Sequence, residues 1–105
     1  MQIDRGFYYH YKHDPEGTIN NYAYEVLGVG CHTEKEDNSP DKYVVIYRPL
    51  YEGYVYRHGK MFDIRPYDMF IEQVEVKGAT LPRFRKITDS ELIAELTNMR
   101  DEMYP

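Results

Sequence analysis

Lys42-Tyr43-Val44-Val45-Ile46-Tyr47-Arg48-Pro49-Leu50-Tyr51 carries the densest β-forming run in the chain. β-Branched and aromatic residues follow one another without a break and stop at a proline, the pattern of a strand covered on both sides. It is read as a central strand, with Tyr43, Val45 and Tyr47 on one face and Val44, Ile46 and Arg48 on the other. The rest of the chain is organised around it. Upstream, the charged segment His32 to Asp41 is a loop, and before it Tyr22 to Cys31 alternates like a second strand. Gly28 and Gly30 sit in the distal half of that strand, where glycine marks a bulge or a sharp bend. Phe7-Tyr8-Tyr9-His10-Tyr11-Lys12-His13 reads as a first strand, opened by Gly6 and closed by Asp14-Pro15-Glu16-Gly17. Tyr9 and Tyr11 share one of its faces, and Tyr8, His10 and Lys12 share the other.

Downstream, Glu52 to Lys60 is expected to be a short strand or an extended loop that continues into Met61-Phe62-Asp63-Ile64. Arg65 to Phe70 predicts one helical turn, with Pro66 preset for its first position. Ile71 to Val76 alternates like an edge strand, and Leu81 to Ile87 is extended. The clearest local signal comes last. Thr88 and Glu91 have capping-box spacing, and Ile87 and Leu92 can close over the cap as a staple. Leu92, Leu96, Met99 and Met103 recur on one stripe, so a helix is predicted over about Asp89 to Glu102. The division expected is a five-stranded barrel over 1–87 and a helical segment over 88–105. The helix packs on the barrel or pairs with a second copy in a homodimer.

With 105 residues, 42% of them hydrophobic, the chain is one folded domain with a modest core. Twelve tyrosines without a tryptophan suit half-buried sheet surfaces, where the ring packs and the hydroxyl stays wet. The net charge of −5 is uneven: from Thr88 onward five acids face the single base Arg100. The body before the helix is therefore nearly neutral, which gives no long-range pull on nucleic-acid phosphates. Arg83-Phe84-Arg85-Lys86 is the one short basic run with an aromatic inside, and it reads as a solvated edge. A lone Cys31 permits no internal disulfide, the N-terminus lacks a signal-peptide core, and no apolar run approaches membrane-spanning length. A soluble cytoplasmic protein is expected.

Five segments taken together resemble the small bacterial family known as domain of unknown function 1653. They are Gly6 to Lys12, Tyr24 to Glu34, Val44 to Tyr51, Ile64 to Phe70 and Leu81 to Phe84, in the family's order. The resemblance implies an SH3-like β barrel. The family has no established activity, so it hands over no catalytic residues. The chain departs from the family in two places. Asp63, beside Phe62, stands where an aromatic residue, often tryptophan, is usual, and the loop from Asp14 to Asn21 is longer than usual. The C-terminal helix lies outside the matched core.

Three constellations carry chemistry. His10, His32 and Glu34 would meet at one rim if the first two strands formed a meander, and two imidazoles with a carboxylate suit a transition metal or a base with its orienting partner. The spacing matches no established metal signature, and surface histidines are the plainer reading. Arg48, Arg65 and Arg83 each adjoin a proline, which holds a forked donor on rigid backbone. The plainer reading pairs Arg65 with Asp68 or Glu72, or stacks it on a tyrosine. Cys31 beside His32 is a weak nucleophile candidate, because neighbours on a strand point to opposite faces. No phosphate loop, nucleophile elbow or cofactor motif is present. The leading expectation is a non-enzymatic module holding a small anionic ligand or a peptide through His10, Lys12, His32, Glu34, Tyr47, Arg48 and Arg65. The alternatives are a small metal-assisted hydrolase built on His10, His32 and Glu34, and a structural subunit acting through its helix.

Overall fold

The computed structural model describes residues 3–105, and the order of elements follows from the pattern above. β1 (Gly6–His10), β2 (Ala23–Cys31), β3 (Tyr43–Pro49) and β4 (Asp63–Pro66) form an antiparallel meander. One-turn helices follow each side of β4: α1 (Tyr54–Arg57) precedes it and α2 (Tyr67–Phe70) succeeds it. β5 (Gln73–Val76) and β6 (Ala79–Pro82) pair as a separate hairpin, β7 (Phe84–Lys86) returns beside β1, and α3 (Ser90–Met103) ends the chain. The main sheet runs β4-β3-β2-β1-β7, which puts the Lys42–Tyr51 segment one strand in from the edge.

The mainly β architecture with a C-terminal helix stands, but the sheet does not close into the expected barrel. β4 and β7 are its two edges, and the chain between them forms a helical turn and a hairpin instead of a bridging strand. The sheet nevertheless curls far enough that Arg65 of β4 lies over the Phe84 ring of β7, 5.7 Å from its centroid. The bend has a visible source. The β2–β3 register shifts between Val26 and Gly28, a bulge that leaves Leu27 unpaired and flips the facing of every later residue in β2.

Two apolar clusters sit on opposite faces. One joins Phe7, Tyr9, Ala23, Leu50 and Ile87 to Leu96 of α3, with Leu92, Ile93 and Met99 packed against it. The other joins Tyr8, Val26, Val45, Tyr47 and Phe84 to Phe70 of α2. The split follows strand parity: Phe7 and Tyr9 face the helix, and Tyr8 faces away.

Three local expectations change. Residues 54–57 form a helical turn where a strand or an extended loop was expected; His58 Nδ1 reaches the Tyr54 carbonyl at 2.8 Å and the two rings stack, an i,i+4 pairing that a strand does not allow. Asp89 caps α3 in place of Thr88, its carboxylate accepting from the amides of Glu91 and Leu92. Pro66 ends β4 and stands just outside α2 as its N-cap residue, one position before the site read from sequence.

Candidate functional site

Chemistry-bearing side chains gather on the face of the sheet away from α3. Register explains which ones. Tyr47 lies opposite Asp63 and Val45 opposite Arg65 across β3 and β4, Tyr8 lies opposite Tyr24 across β1 and β2, and His10 lies opposite Phe84 across β1 and β7. Tyr24 meets Tyr47, Tyr51 and Phe84 edge-on, with centroids 5.4 to 5.8 Å apart. The Tyr24 and Tyr51 hydroxyls hydrogen-bond to each other. Phe70 stacks flat on Phe84 at 4.1 Å and closes the bottom of this aromatic bowl.

Polar groups ring the bowl. Arg65 is half-buried, and its Nε donates to the Tyr47 hydroxyl at 3.2 Å. Among the described residues no carboxylate forms an ion pair with Arg65, so the two terminal nitrogens of its fork keep their donors. Asp63 is half-buried and likewise without an ion pair among the described residues; burial raises its pKa and the Arg65 charge pulls the other way. A cavity of about 200 Å3 opens here, lined by Tyr24, Pro49, Tyr51, Tyr54 and Asp63. His10 sits at the other side, edge-on to Phe84 at 5.1 Å, with its Nδ1 accepting from the Lys12 amide at 3.2 Å. Its pKa falls to about 4, first because the ring is partly buried and then because Lys12, Arg65 and Arg83 all face it with positive charge. The imidazole is therefore neutral near pH 7. The Tyr24, Tyr47 and Tyr51 hydroxyls are raised by burial and stay protonated donors, with the Arg65 hydrogen bond and charge opposing the rise at Tyr47.

The seven residues singled out from sequence separate. His10, Tyr47 and Arg65 share the aromatic face, and Lys12 lies on its rim. His32 and Glu34 do not join them. His10 donates its amide to the carbonyl of Tyr22, just before β2, and His32 follows the end of β2, so about 30 Å of strand separates them at about 3.3 Å per residue. An antiparallel meander brings the end of one strand to the beginning of the next, which is why the single rim does not form. Among the described residues no group of three histidine, cysteine or acidic side chains can hold a metal ion. Arg48 lies on the opposite face, where its guanidinium meets Glu25 at 2.9 Å and covers the Tyr104 ring at 3.9 Å. Arg83 pairs with Glu72, and the Phe84 ring of the basic run is buried in the bowl. Cys31 is exposed at the end of β2.

Sequence reasoning passed over Tyr24, Tyr51 and Asp63. Asp63 had drawn notice only as a departure from the resemblance read in the sequence, and it lines the cavity.

The model of the family described as "Protein of unknown function (DUF1653)" matches residues 6–86. The chain belongs to this family. The matched span holds the seven strands of the described residues and stops short of α3, so the aromatic bowl lies within the matched span. A crystal structure of a DUF1653 protein from Bordetella bronchiseptica is similar, with a TM-score of 0.58 and 25% identity over 85% of this chain and 96% of that one. No curated protein matches the chain. Among the described residues no helix is long and apolar enough to cross a membrane.

Proposed function

We propose that this chain is a binding module for a small anionic ligand, taken on the aromatic face. The single observation behind the reading is the state of Arg65. It is half-buried, held over Phe84 and fixed through Nε by Tyr47, yet its forked terminal nitrogens meet no protein carboxylate among the described residues. Such a fork suits a carboxylate or phosphate gripped at two points. The anion would sit at Arg65, with neutral His10 and Lys12 adding donors at the rim. A flat ring or short apolar body would lie along Tyr24 and Tyr51 in the adjoining cavity, and Asp63 would accept a hydrogen bond from a ligand hydroxyl or amine.

Titration of phenyl phosphate, benzoate and inorganic phosphate into the protein, followed by amide NMR, tests this. The expected outcome is saturable shifts at Tyr24, Tyr47, Asp63 and Arg65, stronger for the two aromatic anions than for phosphate. Shifts confined to other surfaces, or equal shifts with neutral phenol, would contradict it.

A further inference from the structure

A second cavity, of about 440 Å3, lies on the opposite face between α3 and the β1, β2 and β7 strands. Its apolar lining includes Phe7, Leu27, Ile87 and Ile93, and beside Arg100, which is tied to Glu25, two further cations, Arg5 and Lys86, line it. Both of these further cations are held in position. Arg5 donates through Nε to the Leu27 carbonyl at 2.8 Å, and among the described residues no carboxylate pairs with it. Lys86 crosses the β1 backbone at Gly6, a residue with φ of +148° where a Cβ would stand 3.1 Å from the lysine Cε. The glycine thus provides both the backbone angle and the room for that side chain. Among the described residues the one acid paired with Lys86 is exposed Asp4, at 3.8 Å.

Glu25 also borders the cavity but cannot neutralise these cations. Its two oxygens are engaged by Arg48 at 2.9 Å and Arg100 at 2.7 Å. What remains is an apolar recess whose positive side is only weakly compensated: exposed Asp4 stands 3.8 Å from Lys86, and among the described residues no carboxylate pairs with Arg5. We infer that it takes a small amphiphilic anion: a carboxylate met by the Arg5 fork and the Lys86 ammonium, with a short unbranched alkyl tail laid on Phe7, Leu27 and Ile93. An apolar tail gains by leaving water for such a lining, and an anionic head would pair with Arg5 and displace exposed Asp4 from Lys86. This site shares no residue with the aromatic bowl.

The test is an amide NMR titration of the full chain with hexanoate and, in parallel, with hexanol. Hexanoate is expected to give saturable shifts at Phe7, Leu27 and Ile93, and the affinity should rise as salt is lowered. Hexanol should bind at least tenfold more weakly. Arg5→Gln and Lys86→Gln together should weaken hexanoate at least tenfold, Arg5→Gln alone by a smaller factor, and Arg65→Met not at all. Absence of saturable shifts at these three residues would overturn the inference. So would hexanol binding as tightly as hexanoate, or hexanoate binding unchanged in the Arg5→Gln protein.

Discussion

The two faces of the five-stranded sheet each hold an arginine next to a proline, and they treat it differently. On the helix side Arg48 lies opposite Glu25 across β2 and β3, and Arg100 of α3 grips the other oxygen of the same carboxylate. Tyr104 covers Arg48 and donates its hydroxyl to the Pro49 carbonyl at 2.6 Å. Arg48 and Arg100 thus share one carboxylate within the chain, and the network clamps the last element onto the first strands. On the aromatic side Arg65 donates to one tyrosine hydroxyl and lies over an aromatic ring, and among the described residues no carboxylate pairs with it. The same side chain in the same dipeptide is a structural clamp on one face and an open donor on the other. The difference is set by what the opposing strand presents: an acid across from Arg48, and Val45 across from Arg65.

Substitutions can break that contrast, beginning with the deepest. Phe70→Ala should be the most damaging, because a fully buried ring stacked on Phe84 is lost from the bowl. A loss of about 4 kcal/mol is expected for such a truncation, measured by urea unfolding, with ligand shifts on that face lost as well. Glu25→Gln comes next. It leaves two arginines facing a neutral amide, and because both guanidiniums are partly exposed the expected cost is about 2–3 kcal/mol, below that of a fully buried pair. That variant should leave binding at Arg65 unchanged, which separates clamp from site.

His10 gives a smaller effect with a definite sign. Its pKa is about 4 in the folded chain against the ordinary 6.5, so the unfolded chain binds more protons between those values. Stability from this group is therefore full above about pH 6.5 and declines as pH falls towards 4. For a half-buried ring screened by solvent the loss is about 1 kcal/mol. His10→Gln should flatten that part of the pH profile in urea unfolding, and an unchanged profile would contradict the assignment. Arg65→Met should be the mildest for stability, within about 0.5 kcal/mol, since no ion pair is lost.

These contrasts mark what was legible in advance. The Lys42–Tyr51 strand, the facing of Val45, Tyr47 and Arg48, the glycine-marked bend in β2 and the amphipathic terminal helix all follow from local pattern, and local pattern was enough to read them. The fate of Arg48 depends on Glu25 and on Arg100, 75 residues from that acid in sequence, and no local pattern carries such a contact. The expected meeting of His10, His32 and Glu34 failed for a geometric reason, because strand direction puts them at opposite ends of β2. The open sheet was missed because strand count alone does not say whether the two edges find each other. The aromatic bowl was half legible: Tyr47, His10 and Arg65 stood out, while Tyr24 and Tyr51 were lost among twelve tyrosines.

The most direct measurement follows the arginine side chains themselves. Nitrogen-detected NMR of the guanidinium groups, recorded while phenyl phosphate is added, reports on Arg65 and Arg48 in one experiment. The account predicts that Arg65 Nε and its terminal nitrogens shift and sharpen to saturation, while Arg48, already tied to Glu25, stays where it is. Movement of Arg48 with a silent Arg65 would contradict it.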